Sequence, residues 1–180
     1  MALGAPALSV KDFASYRQDL IVGMSLQVSA PLGQYDNSKL LNLGNNRWSF
    51  KPELGISKAC PWTFEVAPSV TIFSDNTDFF GGNTFAQAPI YAVQAHILYT
   101  FQSGVWMALD GIYFTGGHTT PNGVKSDNEQ RNTRAGFTLA LPIDRRNSLK
   151  FSASTGISTR TGSEFSAAGI AWQYRWGEGY

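Results

Sequence analysis

Apolar residues fall on every second position through most of this chain. In the stretch 47–58, Trp48, Phe50, Leu54 and Ile56 share one parity, while mainly polar and charged residues occupy the other. Because successive side chains of a β-strand point to opposite faces, a period of two predicts a sheet with one apolar and one polar face. The apolar face then either packs on a core or contacts lipid on the outside of a closed barrel.

The same alternation predicts about eight strands, each near the roughly 9–11 residues that cross a membrane at a tilt. No segment of useful length has the helical period, although 10–18 is compatible with one short helical turn. The pattern therefore predicts an all-β protein, an antiparallel up-and-down β-barrel, and the strand lengths allow a transmembrane β-barrel, which the loops and aromatic residues below favour. The predicted strands cover residues 20–30, 47–58, 62–73, 90–101, 105–115, 131–143, 148–160 and 166–176.

The predicted connections alternate in length. Tight turns are expected at 58–61, 102–104 and 144–147, and long loops at 31–46, 74–89 and 116–130, with the shorter 161–164 on the long-loop side. Bacterial outer-membrane barrels have tight periplasmic turns and longer outer loops. The alternation therefore places the C-terminus, and the start of the first strand, on the periplasmic side.

Aromatic residues gather near both ends of the predicted strands. Two belts of amphipathic rings at two levels are typical of proteins that meet the headgroup regions of a bilayer. Near the tight turns lie Trp62, Phe64, Tyr99, Phe101, Trp106, Tyr174 and Trp176, and near the long loops lie Trp48, Phe50, Phe73, Tyr91, Tyr113 and Phe165. The aromatic last strand, which precedes a terminal Tyr180, resembles the signal that the outer-membrane insertion machinery recognises.

Composition narrows the class further. Of 180 residues, 43% are hydrophobic and 15% charged, below the usual charged share of about 25%. No apolar run approaches the roughly 18 residues of a transmembrane helix, so a helical membrane protein is excluded. The net charge of +1 gives no sign of a nucleic-acid partner. The chain has a single cysteine, Cys60, which permits no internal disulfide and is interpreted as a small turn residue. The N-terminus lacks the features of a signal peptide.

Several sequence blocks carry a resemblance to a known family. They are PLGQYD, NRWSFKPELGISKA, DNTDFFGG, YFTGGHTT, FTLALPIDRRNSLKFSASTGISTRTG and AWQYRWGEGY. Through these blocks the chain resembles, from about residue 4 to residue 180, the outer-membrane transporters described as belonging to the MetA pathway of phenol degradation. The resemblance implies an outer-membrane β-barrel for small, aromatic or hydrophobic compounds. It brings no catalytic motif, so we expect no enzyme and no cofactor.

Members of that family have a signal peptide and further strands before the region that begins here with GAPALSVKDF. We therefore expect this chain to lack the N-terminal part of a barrel of about twelve strands, although eight strands could also close on themselves. Residues 1–18 are interpreted as a periplasmic segment or the remnant of a preceding strand region. Residues 19–180 are interpreted as the barrel domain.

The polar parity defines a predicted lumen lining. One interpretation is a pore whose charges tune selectivity. The favoured interpretation is a set of paired charges that fill a narrow barrel, because a barrel of so few strands leaves little open space. The residues concerned are Lys51, Glu53, Glu65, Gln94, His96, Asp110, Arg134, Lys150, Arg160 and Arg175.

Two histidines invite other chemistry. His96 and Asp110 on neighbouring strands could serve an outer-membrane hydrolase, but no nucleophile motif accompanies them. His96 is therefore expected to be a hydrogen-bonding residue of the lumen. His118 lies in a long loop with Asp127 and Glu129, and one histidine among loop acids is weak evidence for a metal site.

The favoured function is a passive channel. Phe79, Phe80 and Phe85 lie in one long loop and are interpreted as an apolar gate that solutes pass on entry. The alternative from another class is a soluble lipocalin-like binding barrel with its apolar residues inside. The Ser, Thr, Gly and Ala residues that accompany the charges on the polar parity favour a crowded lumen over a wet outer surface. A structural barrel without transport is a third alternative.

Overall fold

The computed structural model describes residues 2–3, 20–59, 62–162 and 164–176. The predicted helical turn at 10–18, the turn residue Cys60 and the terminal Tyr180 lie outside these residues. So does almost all of the predicted segment 1–18, and the domain boundary after residue 18 stays a prediction.

The strands follow the predicted pattern closely. In chain order they are β1 (Ala2–Leu3), β2 (Leu20–Ser29), β3 (Ser49–Ala59), β4 (Trp62–Phe73), β5 (Asn76–Phe79), β6 (Asn83–Gln87), β7 (Ile90–Thr100), β8 (Trp106–Gly116), β9 (Thr119–Pro121), β10 (Gln130–Pro142), β11 (Asn147–Ser158) and β12 (Ala167–Tyr174). The eight long strands are those predicted from the alternation, with ends that agree within two residues. The sequence pattern did not predict β1, nor the short strands β5, β6 and β9 inside the long loops.

The long strands form one antiparallel meander. Among the described residues the sheet order is β1-β2-β3-β4-β7-β8-β10-β11-β12, and β5, β6 and β9 form a second, three-stranded sheet. Each long strand pairs with the long strands before and after it, which is the up-and-down topology. The first and last strands of the described sheet do not pair, so the eight long strands do not close on themselves. No helix in the described ranges is long and apolar enough to span a membrane.

The apolar face of this sheet is the exposed one. Along β3, Phe50, Leu54 and Ile56 keep 37–40% of their surface exposed, whereas the polar positions between them are half-buried. The buried apolar side chains of the described residues are small, Ala108 and Ala140. A soluble domain of this size would instead bury its large apolar residues. The distribution is therefore inverted, as expected of a wall that faces lipid.

The polar face is concave. A cavity on this face is bordered by residues of five consecutive strands, from Gln94 on β7 to Gly169 on β12. Side chains so many strands apart can border one cavity only if the sheet curves toward them. The soluble lipocalin-like alternative needs the apolar residues on the concave side, so the observed curvature contradicts it.

Glycine directs the chain from the long sheet into the small one. Gly116 ends β8 with φ of 105°, and a Cβ there would lie 2.3 Å from the carbonyl oxygen of Pro89. Gly117 follows with φ of 73° and donates its N–H to the same carbonyl at 3.0 Å. Only glycine tolerates both this backbone conformation and this close approach. The small sheet β5-β6-β9 is thereby fixed at the long-loop end, which we call the mouth.

Candidate functional site

The predicted lumen residues share the concave face, and several meet at its centre. Glu65 is the register partner of His96, and His96 is the partner of Asp110. Asp110 in turn lies opposite Gly136 on β10. Because register partners in a sheet point to the same side, these residues form one row across four strands. Gln94 lies next to this row, two residues from His96 on β7.

Both ring nitrogens of His96 have hydrogen-bond partners. Its Nε2 lies 2.8 Å from Nε2 of Gln94, and its Nδ1 is hydrogen-bonded to Asp110 Oδ1. The other carboxylate oxygen of Asp110 accepts a hydrogen bond from the Thr138 hydroxyl at 3.5 Å. Thr138 is not among the lumen residues predicted from the sequence.

This arrangement is unlike that of a serine hydrolase. In such an enzyme the histidine nitrogen opposite the acid receives the proton of the nucleophile. Here that nitrogen is bound to the amide of Gln94. His96 and Asp110 belong to a hydrogen-bonded row on the concave face.

Other inward charged residues also contact neighbours along the wall. Lys51 Nζ lies 3.1 Å from Glu53 Oε2 on the same strand. Arg134 donates from Nη2 to Ser154 Oγ at 3.4 Å, and its Cζ lies 3.9 Å from the ring centroid of Phe165. Lys51 and Glu53 therefore form an ion pair, whereas Arg134 contacts a hydroxyl and an aromatic ring. That paired charges fill the barrel stays a prediction.

Two residues of the predicted lining differ from that picture. Arg175 lies beyond the end of β12 and is exposed. Arg160 lies in the loop after β11, where Nη2 contacts Asp127 Oδ1 at 2.5 Å and Nη1 contacts Glu129 Oε2 at 3.3 Å. The acids that accompanied His118 in the weak metal-site hypothesis are therefore bound to a guanidinium. Within the described residues, no three potential metal ligands cluster.

Most of the predicted belt residues are exposed outward rings, and four depart from the prediction. Tyr99 is half-buried, and Phe165, in the loop before β12, packs on Arg134. Trp106 pairs with Thr100 and Ala140 on the inward side, and its ring lies 5.7 Å from Lys150 Nζ. Phe73 is also inward, because its partner Ser49 shares the parity of Lys51. The exposed outward rings are Trp62, Phe64, Phe101, Trp172, Tyr174 and Trp176 near the tight turns, and Trp48, Phe50, Tyr91 and Tyr113 near the long loops.

The loops at the mouth are joined by side-chain amides. Asn76 is 2% exposed; it donates to the Tyr35 hydroxyl at 2.9 Å and accepts from Asn46 Nδ2 at 3.1 Å. It also accepts from the Asp78 N–H at 3.0 Å. A second junction lies at Asn132, whose Oδ1 accepts from the Arg160 N–H at 2.9 Å. The mouth is thus an ordered layer of linked loops.

The three predicted gate residues occupy the small sheet at the mouth. Phe79 ends β5 and packs on Phe85 of β6 with ring centroids 4.8 Å apart. Phe80 opens the short 3₁₀ turn between these strands and is 41% exposed. Phe79 and Phe85 are therefore brought together, and Phe80 lies at the surface beside them.

Arg47 is a residue whose role the sequence did not reveal. Its Cζ lies 4.5 Å from the ring centroid of Phe73 and 5.4 Å from that of Phe85. Its Nη2 donates to Gln87 Oε1 at 2.5 Å, and Gln87 Nε2 donates to the Gly117 carbonyl at 3.0 Å. Burial lowers the pKa of Arg47 from its ordinary value. From periodicity alone, Arg47 is assigned to the first polar position of a strand. Its partners Phe73, Phe85 and Gln87 lie far along the chain, so the local pattern does not show these contacts.

These features define a class, the wall of a membrane β-barrel with an apolar outside and a polar concave inside. The particular family follows from comparison: residues 2–174 match the family described as "Putative MetA-pathway of phenol degradation", and the chain belongs to that family. The fold is similar to that of the COG4313 outer membrane channel from Pseudomonas putida F1, with a TM-score of 0.75 at 22% identity. That match covers 86% of this chain and 59% of the channel. No curated protein matches the chain.

Proposed function

We propose that this chain forms the wall of a passive channel in the bacterial outer membrane, which admits small aromatic or hydrophobic compounds. The observation that carries the proposal is the division of the sheet into an exposed apolar face and a concave polar face. A barrel with this division contacts lipid outside and encloses a polar passage. The family, whose description concerns phenol degradation, and the channel of similar fold support the choice of solute and activity.

Closure is part of this proposal. The strand edges of β1-β2 and of β12 carry unpaired backbone groups in the described sheet, and hydrocarbon does not tolerate such edges. The matched channel is longer than this chain, which spans 59% of it. In the membrane, additional strands therefore join the two edges into a barrel of about twelve strands.

The passage needs no cofactor and no catalytic group. Solute enters past the mouth, where Phe79, Phe80 and Phe85 form an apolar gate beside the small sheet. The lumen residues Lys51, Glu53, Glu65, Gln94, His96, Asp110, Arg134 and Lys150 line the passage and keep it hydrated by paired charges. Outer-membrane lipid surrounds the belts, and the aromatic β12 segment is the signal for the insertion machinery.

Uptake by cells tests the proposal. The protein is expressed in a Gram-negative host, and we expect it in the outer-membrane fraction with a mobility that changes on boiling. Entry of radiolabelled phenol should then be several-fold faster than in cells without the protein. Ser152→Trp, on the concave side of β11, should reduce this gain, because an indole projects into the lumen and narrows it.

Ala153→Trp is the matched control, since Ala153 is the next residue and points outward. We expect it to fold and to leave uptake unchanged. Folded protein that gives no faster uptake than empty cells would contradict a channel and favour the structural barrel. Equal effects of the two substitutions would show that the concave face is not the passage.

A further inference from the structure

Arg47 is held in a way that leaves part of its bonding capacity unused. The planar guanidinium offers five N–H donors in a fork that matches two acceptor oxygens side by side. Its Nη2 binds the single amide oxygen of Gln87, while the buried Nη1 has no hydrogen-bond partner among the residues that the structure describes. A buried donor without an acceptor is unfavourable, so a partner with two acceptor atoms would bind here more strongly than Gln87 does.

The surroundings set the size and character of that partner. A cavity of about 130 Å³ borders Arg47 between the ends of β2, β3 and β4. It is lined by Ser29, Ser49 and Phe73, and by backbone of the facing glycines Gly33 and Gly44. Since one water takes about 30 Å³, the cavity alone accommodates a carboxylate with a few further atoms, and a ring attached to that carboxylate needs in addition the space that the Gln87 side chain occupies on Arg47. The aromatic rings of Phe73 and Phe85 beside the guanidinium suit an apolar body next to the charge.

We propose that Arg47 is a carboxylate-binding site at the mouth, and that small aromatic carboxylates displace Gln87 from its guanidinium. Two carboxylate oxygens then accept from Nη1 and Nη2 together, in the bidentate geometry that a single amide oxygen cannot offer. Released from Arg47, Gln87 keeps its bond to the Gly117 carbonyl. The solute class therefore includes ring compounds that carry a carboxylate, which deepens the proposed channel function and rests on it.

Binding of benzoate to the whole protein in detergent micelles tests the site, with affinity measured by titration calorimetry. Arg47→Met should weaken benzoate binding at least about tenfold, because a charge-assisted pair is lost. Arg47→Lys should give an intermediate loss, because it keeps the charge without the fork. Benzyl alcohol, which has the ring without the carboxylate, should bind weakly and equally to all three proteins.

Two further variants separate binding from a structural role. Gln87→Met removes the competing acceptor and should tighten benzoate binding several-fold, whereas a purely structural Arg47 predicts no gain. Arg131→Met removes an exposed arginine and an equal charge, and should leave affinity unchanged. Mobility on unboiled gels shows whether each variant folds; if Arg47→Met does not, the lysine and Gln87 variants decide.

Unchanged benzoate affinity in folded Arg47→Met and Gln87→Met would overturn the site. The outcomes also separate this inference from the channel function. Uptake of phenol without benzoate binding would refute the carboxylate site alone. Arg47-dependent benzoate binding without uptake of any solute would refute the channel and leave the site standing.

Discussion

At the scale of single residues, the mouth depends on one buried amide. Asn76 uses all of its bonding capacity, because Oδ1 accepts from Asn46 and Asp78 while Nδ2 donates to Tyr35 and to the Asn45 carbonyl. Such a residue resists substitution, since each lost bond leaves a polar partner unsatisfied away from water. Asn76 therefore joins the loop after β2 to the loop after β4 through three hydrogen bonds.

Asn76→Ala should destabilise this junction by about 2 kcal/mol. The measurement is hydrogen exchange of the Asp78 and Lys39 amides, which should quicken because their loops separate. Asn45→Ala is the control, as its side chain is exposed and its carbonyl remains in place. If hydrogen exchange is equally slow in the two variants, Asn76 does not hold the two loops together.

At the scale of elements, the long strands could be predicted and the mouth could not. Eight segments alternate over ten or more residues, so their faces and ends follow from period alone. Strands β5, β6 and β9 have three to five residues, too few for a periodic pattern. β5 and β6 pair within one loop, and β6 pairs with β9 of the next long loop. The contacts of Arg47 also join distant segments of the chain, so sequence analysis did not reveal them. Trp106 was assigned to an aromatic belt because it lies near the end of its strand. It occupies a polar-face position of that strand, however, and therefore points inward.

The small sheet is also where the gate can be tested. Phe79→Ser with Phe80→Ser removes the ring packed on Phe85 and the exposed ring beside it, so the apolar barrier opens. We expect uptake of bulky aromatic solutes to rise several-fold, with little change for phenol. Leu41→Ser, at an exposed apolar residue of the neighbouring loop, should change neither rate. If uptake of bulky solutes is unchanged in the double variant, the hypothesis that Phe79 and Phe80 form a gate is wrong.

At the scale of the whole molecule, the division between faces decides where a charge is tolerated. In a soluble barrel, an exposed side chain can become arginine at almost no cost, and an inward one cannot. In a membrane barrel the order is reversed, because the outer face contacts hydrocarbon while the concave face contacts water and other polar groups. Adjacent residues of one strand therefore give a direct test, since they differ in face and share everything else.

Val93 and Gln94 are such a pair in the middle of β7. Val93 is 46% exposed on the outer face, and Gln94 points inward beside His96. Val93→Arg should cost about 2–4 kcal/mol in lipid vesicles, as arginine does near the bilayer midplane. Gln94→Arg should cost less than about 1 kcal/mol, because the carboxylate of Asp110 lies within reach of the new cation. Equilibrium unfolding in guanidinium chloride, followed by tryptophan fluorescence, measures both. A larger loss for Gln94→Arg than for Val93→Arg would mean that the outer face does not contact lipid, since the physical argument for a membrane wall requires the opposite order.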